Sequence, residues 1–523
     1  MSALVAALAV IFAGQSAHAL SSDPNHFISG DNTFFAYVKA GEKISAEFLR
    51  AQYTQPNFPT GDITVTLDGP GFVQKKCTIK ASTSVGSGCS FAPQSSEISG
   101  IWQIEFEVSK GGRAHKEASP DVLWTKNLHT WKITVVDADG EQSGRIWTDR
   151  YAFRQPPNNF AGDFTTYYVS EDGYIYRAKN YNYDGQISIL SADSIGIRTG
   201  DECVSAYQSV EVNNNEELSP ALGVCGNTYK LFFEEPSGSL PTESVGWDET
   251  TDWVKPRIKK PSISELHFVP DDSSDQLSGD ITFYLRNFIG QYQIKIDVDN
   301  DGGFDGQNDV TLYEQMKELS TGLQRVNFQG VNRQGQIIFP NQTIGIKVDI
   351  SKVAEIHFVA VDVEGRDGIE VTRLNGENAP ISRLCWNDTS FELTATAIDE
   401  PDGRSCPDSS GGVHGWGYGS RSWGNSRYID DWIFATAKID GDNMIIYPEV
   451  EEQSDGNGQQ NMMPILIGGS VILILAIGTV LVLVAKKKKN RGQGPHVPPD
   501  NQPPTPPTYP DTNQNPPVPP TTN

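Results

Sequence analysis

Cysteine and methionine are scarce in this 523-residue chain, at six and five residues, and no two cysteines have C-x-x-C spacing. That excludes the common zinc and dithiol-redox patterns. Catalytic signatures are missing as well: there is no H-E-x-x-H, no G-x-S-x-G and no P-loop, and the eight histidines are scattered. Zinc metalloproteases, serine hydrolases of the nucleophile-elbow type and P-loop nucleotidases are therefore excluded. A glycosidase needs only two positioned carboxylates, and 66 acidic residues hide any such pair, so a surface-polymer-processing ectoenzyme stays open. Positive charge is short too. Lys and Arg number 41, the formal charge is −25 and the pI is about 4.7. The tail after residue 485 holds five basic residues against Asp500 and Asp511, so residues 1–485 carry −28. Such a surface repels phosphate backbones, and no nucleic-acid partner is expected.

Long hydrophobic runs are confined to the two ends. Residues 1–19 hold the apolar run Ala3 to Ala13 and finish in Ala17-His18-Ala19, the pattern of a cleaved signal peptide, although its first residues lack Lys and Arg. Ile465 to Ala485 carries no charge, and at 1.5 Å per residue it reaches about 31 Å as a helix, enough to cross a hydrocarbon core. Residues 451–461 before it carry only acidic charge and read as a juxtamembrane linker. Lys486, Lys487, Lys488, Lys489 and Arg491 follow it, so the positive-inside rule predicts an extracellular N-terminal ectodomain and a cytoplasmic C-terminus. The expectation is a single-pass protein of the cell membrane. Residues 486–523 are basic and then proline-rich, with 12 prolines in 490–523, and read as a disordered tail. Pro506, Pro507 and Tyr509 form a PPxY match that could dock a cytoplasmic adaptor.

What fills the space between is turn-rich and alternating. With 49 glycines, 32 prolines and 10% aromatics, the composition suits β structure. Ile63-Thr-Val-Thr-Leu67, Trp102 to Val108 and Trp131 to Val136 alternate with period two, and Asp68-Gly69-Pro70 and Gly111-Gly112 supply turns between such runs. The fold class expected is mainly β: tandem antiparallel β-sandwich domains, immunoglobulin-like or jelly-roll-like, with one transmembrane helix. The domains are set at 20–154, a small one at 163–233, a linker at 234–261 and a third at 262–450, the last being one module or two with a seam near 375–380. Leu312 to Leu319 is read as a helical turn or two. Trp247 and Trp253, among acidic residues of the linker, are expected to dock on a neighbouring domain.

The cysteines fall into sequence-local pairs, Cys77 with Cys89, Cys203 with Cys225 and Cys385 with Cys406, one for each expected domain. Local pairing is the economical arrangement in an oxidising compartment. Asn341 and Asn387 begin N-glycosylation sequons. The sharpest motif is Asp297-x-Asp299-x-Asp301-Gly302-Gly303-x-Asp305, with Asp309 behind it. Alternating carboxylates followed by a turn-forming glycine wrap a loop around a hard cation, which makes calcium the expected cofactor. Asn308 stands where an EF-hand has its bidentate Glu, and the preceding residues read as a strand, so this is no EF-hand.

This loop resembles the D-x-D-x-D-G calcium loops of thrombospondin type 3 repeats and of bacterial surface proteins built from β-sandwich modules. The resemblance implies Asp297, Asp299, Asp301 and Asp305 as ligands, though the tandem array of thrombospondin is absent. The wider layout resembles bacterial membrane-anchored, adhesin-like surface proteins, and Gly411 to Gly417 with Asp430-Asp431-Trp432 looks like a C-terminal module of such chains. The function expected is adhesion or recognition by a calcium-stabilised ectodomain, its partner a surface glycan, a protein or a second copy of the chain. Two alternatives stand beside it: a carbohydrate-binding module or ectoenzyme, and a receptor whose tail docks adaptors. Within 411–432, Trp416, Trp423 and Trp432 could stack on sugar rings with His414 as a hydrogen-bonding group, or fill the core beside Cys385–Cys406.

Overall fold

The computed structural model of the protein describes residues 20–446, apart from 22–25, 56, 72, 116–118, 156–161, 200–202, 212–217, 221–224, 272–274, 351, 391–405, 417–426 and 437–442. By contact density the chain divides at Val450, and every structural statement below concerns the part before it. All regular structure in the described residues is β.

Alternation translates directly into burial. Asn32–Val38, Gly279–Arg286 and Gly290–Asp297 bury every second residue, so that Phe34, Ala36, Ile281, Phe283, Leu285, Ile294 and Ile296 face inward. Residues 32–136 pack two sheets face to face. One contains Ser119–Val136, Lys43–Thr54 and Gly88–Ser95. The other is a 15-stranded sheet that enters this sandwich through Asn32–Val38, Gly100–Lys110, Asp62–Gly69 and Val73–Ile79. Phe34, Phe48, Trp102, Phe106, Trp131 and Ile133 fill the space between them.

The 15-stranded sheet does not stop at residue 154. From Asn32–Val38 it continues through Ile146–Thr148, Lys230–Phe232, Gly162–Val169, Ile175–Asp193, Lys352–Gly365 and Arg427–Thr436 to Val210–Glu211. Strands from all three expected domains thus share one hydrogen-bonded ladder and one main apolar core. A chain of separate tandem sandwiches is corrected by this pairing. Ser262–Pro270, Gly279–Arg286 and Thr321–Phe328 do form their own sheet, facing one made of Val310–Met316, Gly290–Asp297, Ile344–Asp349 and Asn443–Ile446. This smaller sandwich has its own core around Phe283, Tyr292, Ile294 and Ile346, and the chain rejoins the large sheet between Asp349 and Lys352.

Two helical expectations change. Leu312 to Leu319 lies largely in the strand Val310–Met316, where Leu312 pairs with Ile294, because a β-branched and aromatic run beside an existing strand gains a ladder that an isolated turn lacks. No helix among the described residues is long and apolar enough to cross a membrane. Residues 465–485, which carried the single-pass reading, lie outside the described residues, as do 1–19, 451–461 and the tail with Pro506, Pro507 and Tyr509. Among the described residues the fold is multi-sheet β without a spanning helix; the expected membrane partner, membrane localisation and anchored adhesion function rested on a helix that lies outside them, are corrected to that extent and are not carried further.

The cysteines are bonded as Cys77–Cys89, Cys203–Cys225 and Cys385–Cys406. Cys77 sits in the strand Val73–Ile79 of the large sheet and Cys89 in Gly88–Ser95 of the smaller one, so this bond staples the two layers.

Candidate functional site

The acidic loop joins two adjacent strands. Asp297 ends Gly290–Asp297 and Asp309 immediately precedes Val310–Met316, so the antiparallel pairing returns the two carboxylates to each other. Both are buried, at 1% and 4% exposure, and backbone donors hold both. Asp297 accepts from the amides of Asp301 (3.3 Å) and Gly302 (2.9 Å), and Asp309 from those of Val298 (3.0 Å) and Gly306 (2.7 Å). Gly302 adopts φ +88°, the left-handed turn that an L side chain resists. Exposed Asp299 completes a group in which one oxygen from each of Asp297, Asp299 and Asp309 lies within 4.8 Å of the others, a set that can hold a metal ion. Local desolvation and the neighbouring Asp301, Asp309 and Asp297 charges raise the Asp299 carboxyl above its ordinary range. Asp301 and Asp305 stand outside this group; Asp301 turns one oxygen to the Gly303 amide at 2.7 Å.

Three of the four ligand candidates in 411–432 are core. His414, Trp416 and Trp432 are almost wholly buried, and Trp423 lies outside the described residues. The His414 ring stacks on Trp386 at 5.0 Å and sits between two carboxylates, with Nε2 2.6 Å from Asp388 and Nδ1 2.5 Å from Asp431. Arg366 donates to Asp431 at 3.0 Å. Burial pulls the imidazole down, but the two carboxylates outweigh it and push it up to about 9. Neighbouring Asp430 points to the other face of the strand, as period two requires, and pairs with His357 Nδ1 at 2.9 Å. His357 is pushed up to about 10 by Asp430 and Glu355 against its own burial. The Tyr207 hydroxyl donates to Glu355 at 2.7 Å. These ion pairs and hydrogen bonds of the interior tie Lys352–Gly365 to Arg427–Thr436, and His414, Trp416 and Trp432 offer no open platform for a sugar. Asn387 of the second sequon is also buried and donates to the Tyr207 carbonyl at 3.1 Å, whereas Asn341 is exposed.

A cleft that sequence reasoning missed opens on the outer face of the large sheet, with a volume of about 570 Å³. Phe34 and Ile104 point into the core; their neighbours Thr33, Phe35, Gln103, Glu105 and Glu107 therefore face out, with Thr33 opposite Glu105 and Phe35 opposite Gln103. Asp31, Asp149 and Arg150 also line the cleft. Asp31 is fixed by the amides of Val108 (2.6 Å) and Leu123 (2.9 Å), and burial raises its carboxyl in spite of them. Glu105 is raised by desolvation and by Glu107, Asp68 and Asp31. Asp149 is pushed up to about 6 by burial, with Lys230 opposing and Asp252 reinforcing.

Further aromatic rings pack around Phe35 of the cleft. Phe35 stacks on Trp147 at 6.0 Å and meets Trp247 at 5.4 Å, and both Phe35 and Trp247 keep part of their surface open. Trp253 lies under the Lys230 ammonium at 4.2 Å. Both linker tryptophans thus pack on the large sheet. The signal that could have revealed the cleft is the polar side of two strands whose apolar side is core: Thr33 and Phe35 alternate with Phe34, and Gln103, Glu105 and Glu107 with Ile104 and Phe106. Read singly, those residues look like an ordinary solvated face.

No family model, curated protein or solved structure matches the chain. The likeness to thrombospondin type 3 repeats stays the likeness of one loop.

Proposed function

We propose that the protein is a calcium-stabilised carbohydrate-binding protein whose ligand occupies the Phe35 cleft. One observation carries this reading: the half-open ring of Phe35, backed by its contact with Trp247, lines a cleft that also presents Gln103, Thr33 and the carboxylates of Asp31 and Glu105. A sugar ring has an apolar C–H face that packs on an aromatic surface, and hydroxyls that donate to carboxylate and amide oxygens. The cleft volume is in the range of small-ligand sites, roughly 300 to 1,000 Å³. Titration of the full chain with oligosaccharides, followed by calorimetry, tests the reading. Saturable binding that Phe35→Ala weakens at least about tenfold, roughly 1.4 kcal/mol, supports it. Absence of binding across neutral, acidic and aminated saccharides contradicts it.

Calcium is the ion proposed for the acidic loop, because an all-oxygen donor set suits a hard cation and a flexible loop suits calcium's variable coordination. Asp297, Asp299 and Asp309 would hold it, with waters and backbone carbonyls as further donors. Its role is structural: it cancels repulsion at the end of a hairpin and fixes the smaller sandwich.

A second reading is favoured by Asp149. A carboxyl pushed up to about 6 in a cleft with further carboxylates is what a glycosidase uses as general acid. Saccharide turnover abolished by Asp149→Asn would establish it; binding without turnover leaves the protein a binding module.

A further inference from the structure

We infer that the saccharide taken by the Phe35 cleft carries free, protonated amines: an aminated sugar, not a neutral or N-acylated one. The inference rests on the carbohydrate reading and adds the charge of the ligand. Asp31, Glu105, Glu107 and Asp149 all line the cleft, and Arg150 is the cationic side chain among the described lining residues. A neutral sugar asks for one or two carboxylates as hydrogen-bond acceptors, whereas four set against one guanidinium leave an uncompensated negative field. Glu105 and Glu107 occupy alternate positions of one strand, roughly 7 Å apart along it at about 3.4 Å per residue, and so offer successive anchors to successive units of a chain.

The surroundings deepen the field. Asp68 acts on Glu105 with Lys76 opposing it, and Asp252 acts on Asp149, whose opposing cation Lys230 is already engaged with Asp252 at 2.6 Å. Crowding and burial hold Asp31, Glu105 and Asp149 toward their protonated forms, and an ammonium placed among them relieves what a proton otherwise relieves. The Phe35 face adds attraction for a cation beyond its packing on the ring. A phosphorylated or uronic-acid saccharide meets the same carboxylates as repulsion. The chain's net charge of −25 steers a polycation toward it and a polyanion away.

The test uses the full chain and two probes that differ only in acylation: a β-1,4-linked glucosamine oligomer and its N-acetylated counterpart, titrated calorimetrically at a pH that keeps the amines protonated. The amine form is expected to bind at least about tenfold tighter, with a preference that shrinks as salt is raised. Glu105→Gln and Glu107→Gln should each reduce that preference, while Phe35→Ala weakens both probes alike. Equal or tighter binding of the acetylated oligomer overturns the inference and leaves the carbohydrate reading standing. Binding of neither probe overturns both. A linear polyamine that binds as tightly as the amine oligomer, and is indifferent to Phe35→Ala, overturns the claim that the ligand is a sugar.

Discussion

His414, held between Asp388 and Asp431 and stacked on Trp386, shows how a single side chain makes stability depend on pH. Its folded value, about 9, lies above the ordinary 6.5, so the folded state binds the extra proton between those limits. Its contribution is complete below about pH 6.5 and is lost as pH rises through about 9; His357 extends the same loss to about 10. Thermal denaturation should therefore show the melting temperature falling from pH 6.5 toward 10. His414→Gln should flatten that limb and cost about 3–5 kcal/mol at neutral pH, because it leaves two buried carboxylates facing each other. Asp172 and Asp193, both pushed up to about 6 by burial, act in a lower window: their contribution is lost as pH rises from about 4 through 6. At the loop, Asp299→Asn should weaken calcium binding about tenfold or more and Asp301→Asn much less, measured by calorimetric titration, since only the former's oxygen joins the cluster.

At the scale of elements, the hairpins and the covalent links were the legible part. Strands such as Gly279–Arg286 and Gly290–Asp297 alternate cleanly because one face packs a core and the other meets water. The cysteine pairs follow chain neighbours because each bond closes a local loop. Asp297, Asp299 and Asp309 could be grouped by spacing, but Asp301 could not be set aside, since which oxygen turns to the Gly303 amide is decided by the turn itself. Nothing local marks Asp430 and Asp431 as buried acids; their burial depends on partners on other elements, His357, Arg366 and His414. Stapling the two layers of the first sandwich makes the Cys77–Cys89 bond testable. Replacing both cysteines by serine should lower stability by about 2–4 kcal/mol in chemical denaturation, with sheet content by circular dichroism retained.

At the scale of the molecule, what the sequence concealed is the continuity of the large sheet. Ile175–Asp193 pairs with Lys352–Gly365 and Gly368–Arg373, more than 150 residues away, and no local pattern announces such a partner. The smaller sandwich is an excursion between strands of this sheet, closed by Asn443–Ile446. A chain ending at residue 261 would keep the first two expected domains and yet lose these ladders, leaving Tyr176, Ala192 and Leu190 uncovered. It should give a poorly dispersed amide spectrum and aggregate; a dispersed, monomeric spectrum would contradict the single continuous sheet.

Adjacent strands of this sheet build the cleft, for Asn32–Val38 and Gly100–Lys110 supply its floor while Ile146–Thr148 and the following Asp149 close its side. The most direct measurement is amide hydrogen exchange on the full chain with and without a saturating saccharide. The account predicts that ligand-dependent protection concentrates in 31–35, 103–107 and 147–150. Protection centred on another part of the chain, with these segments unchanged, would contradict it.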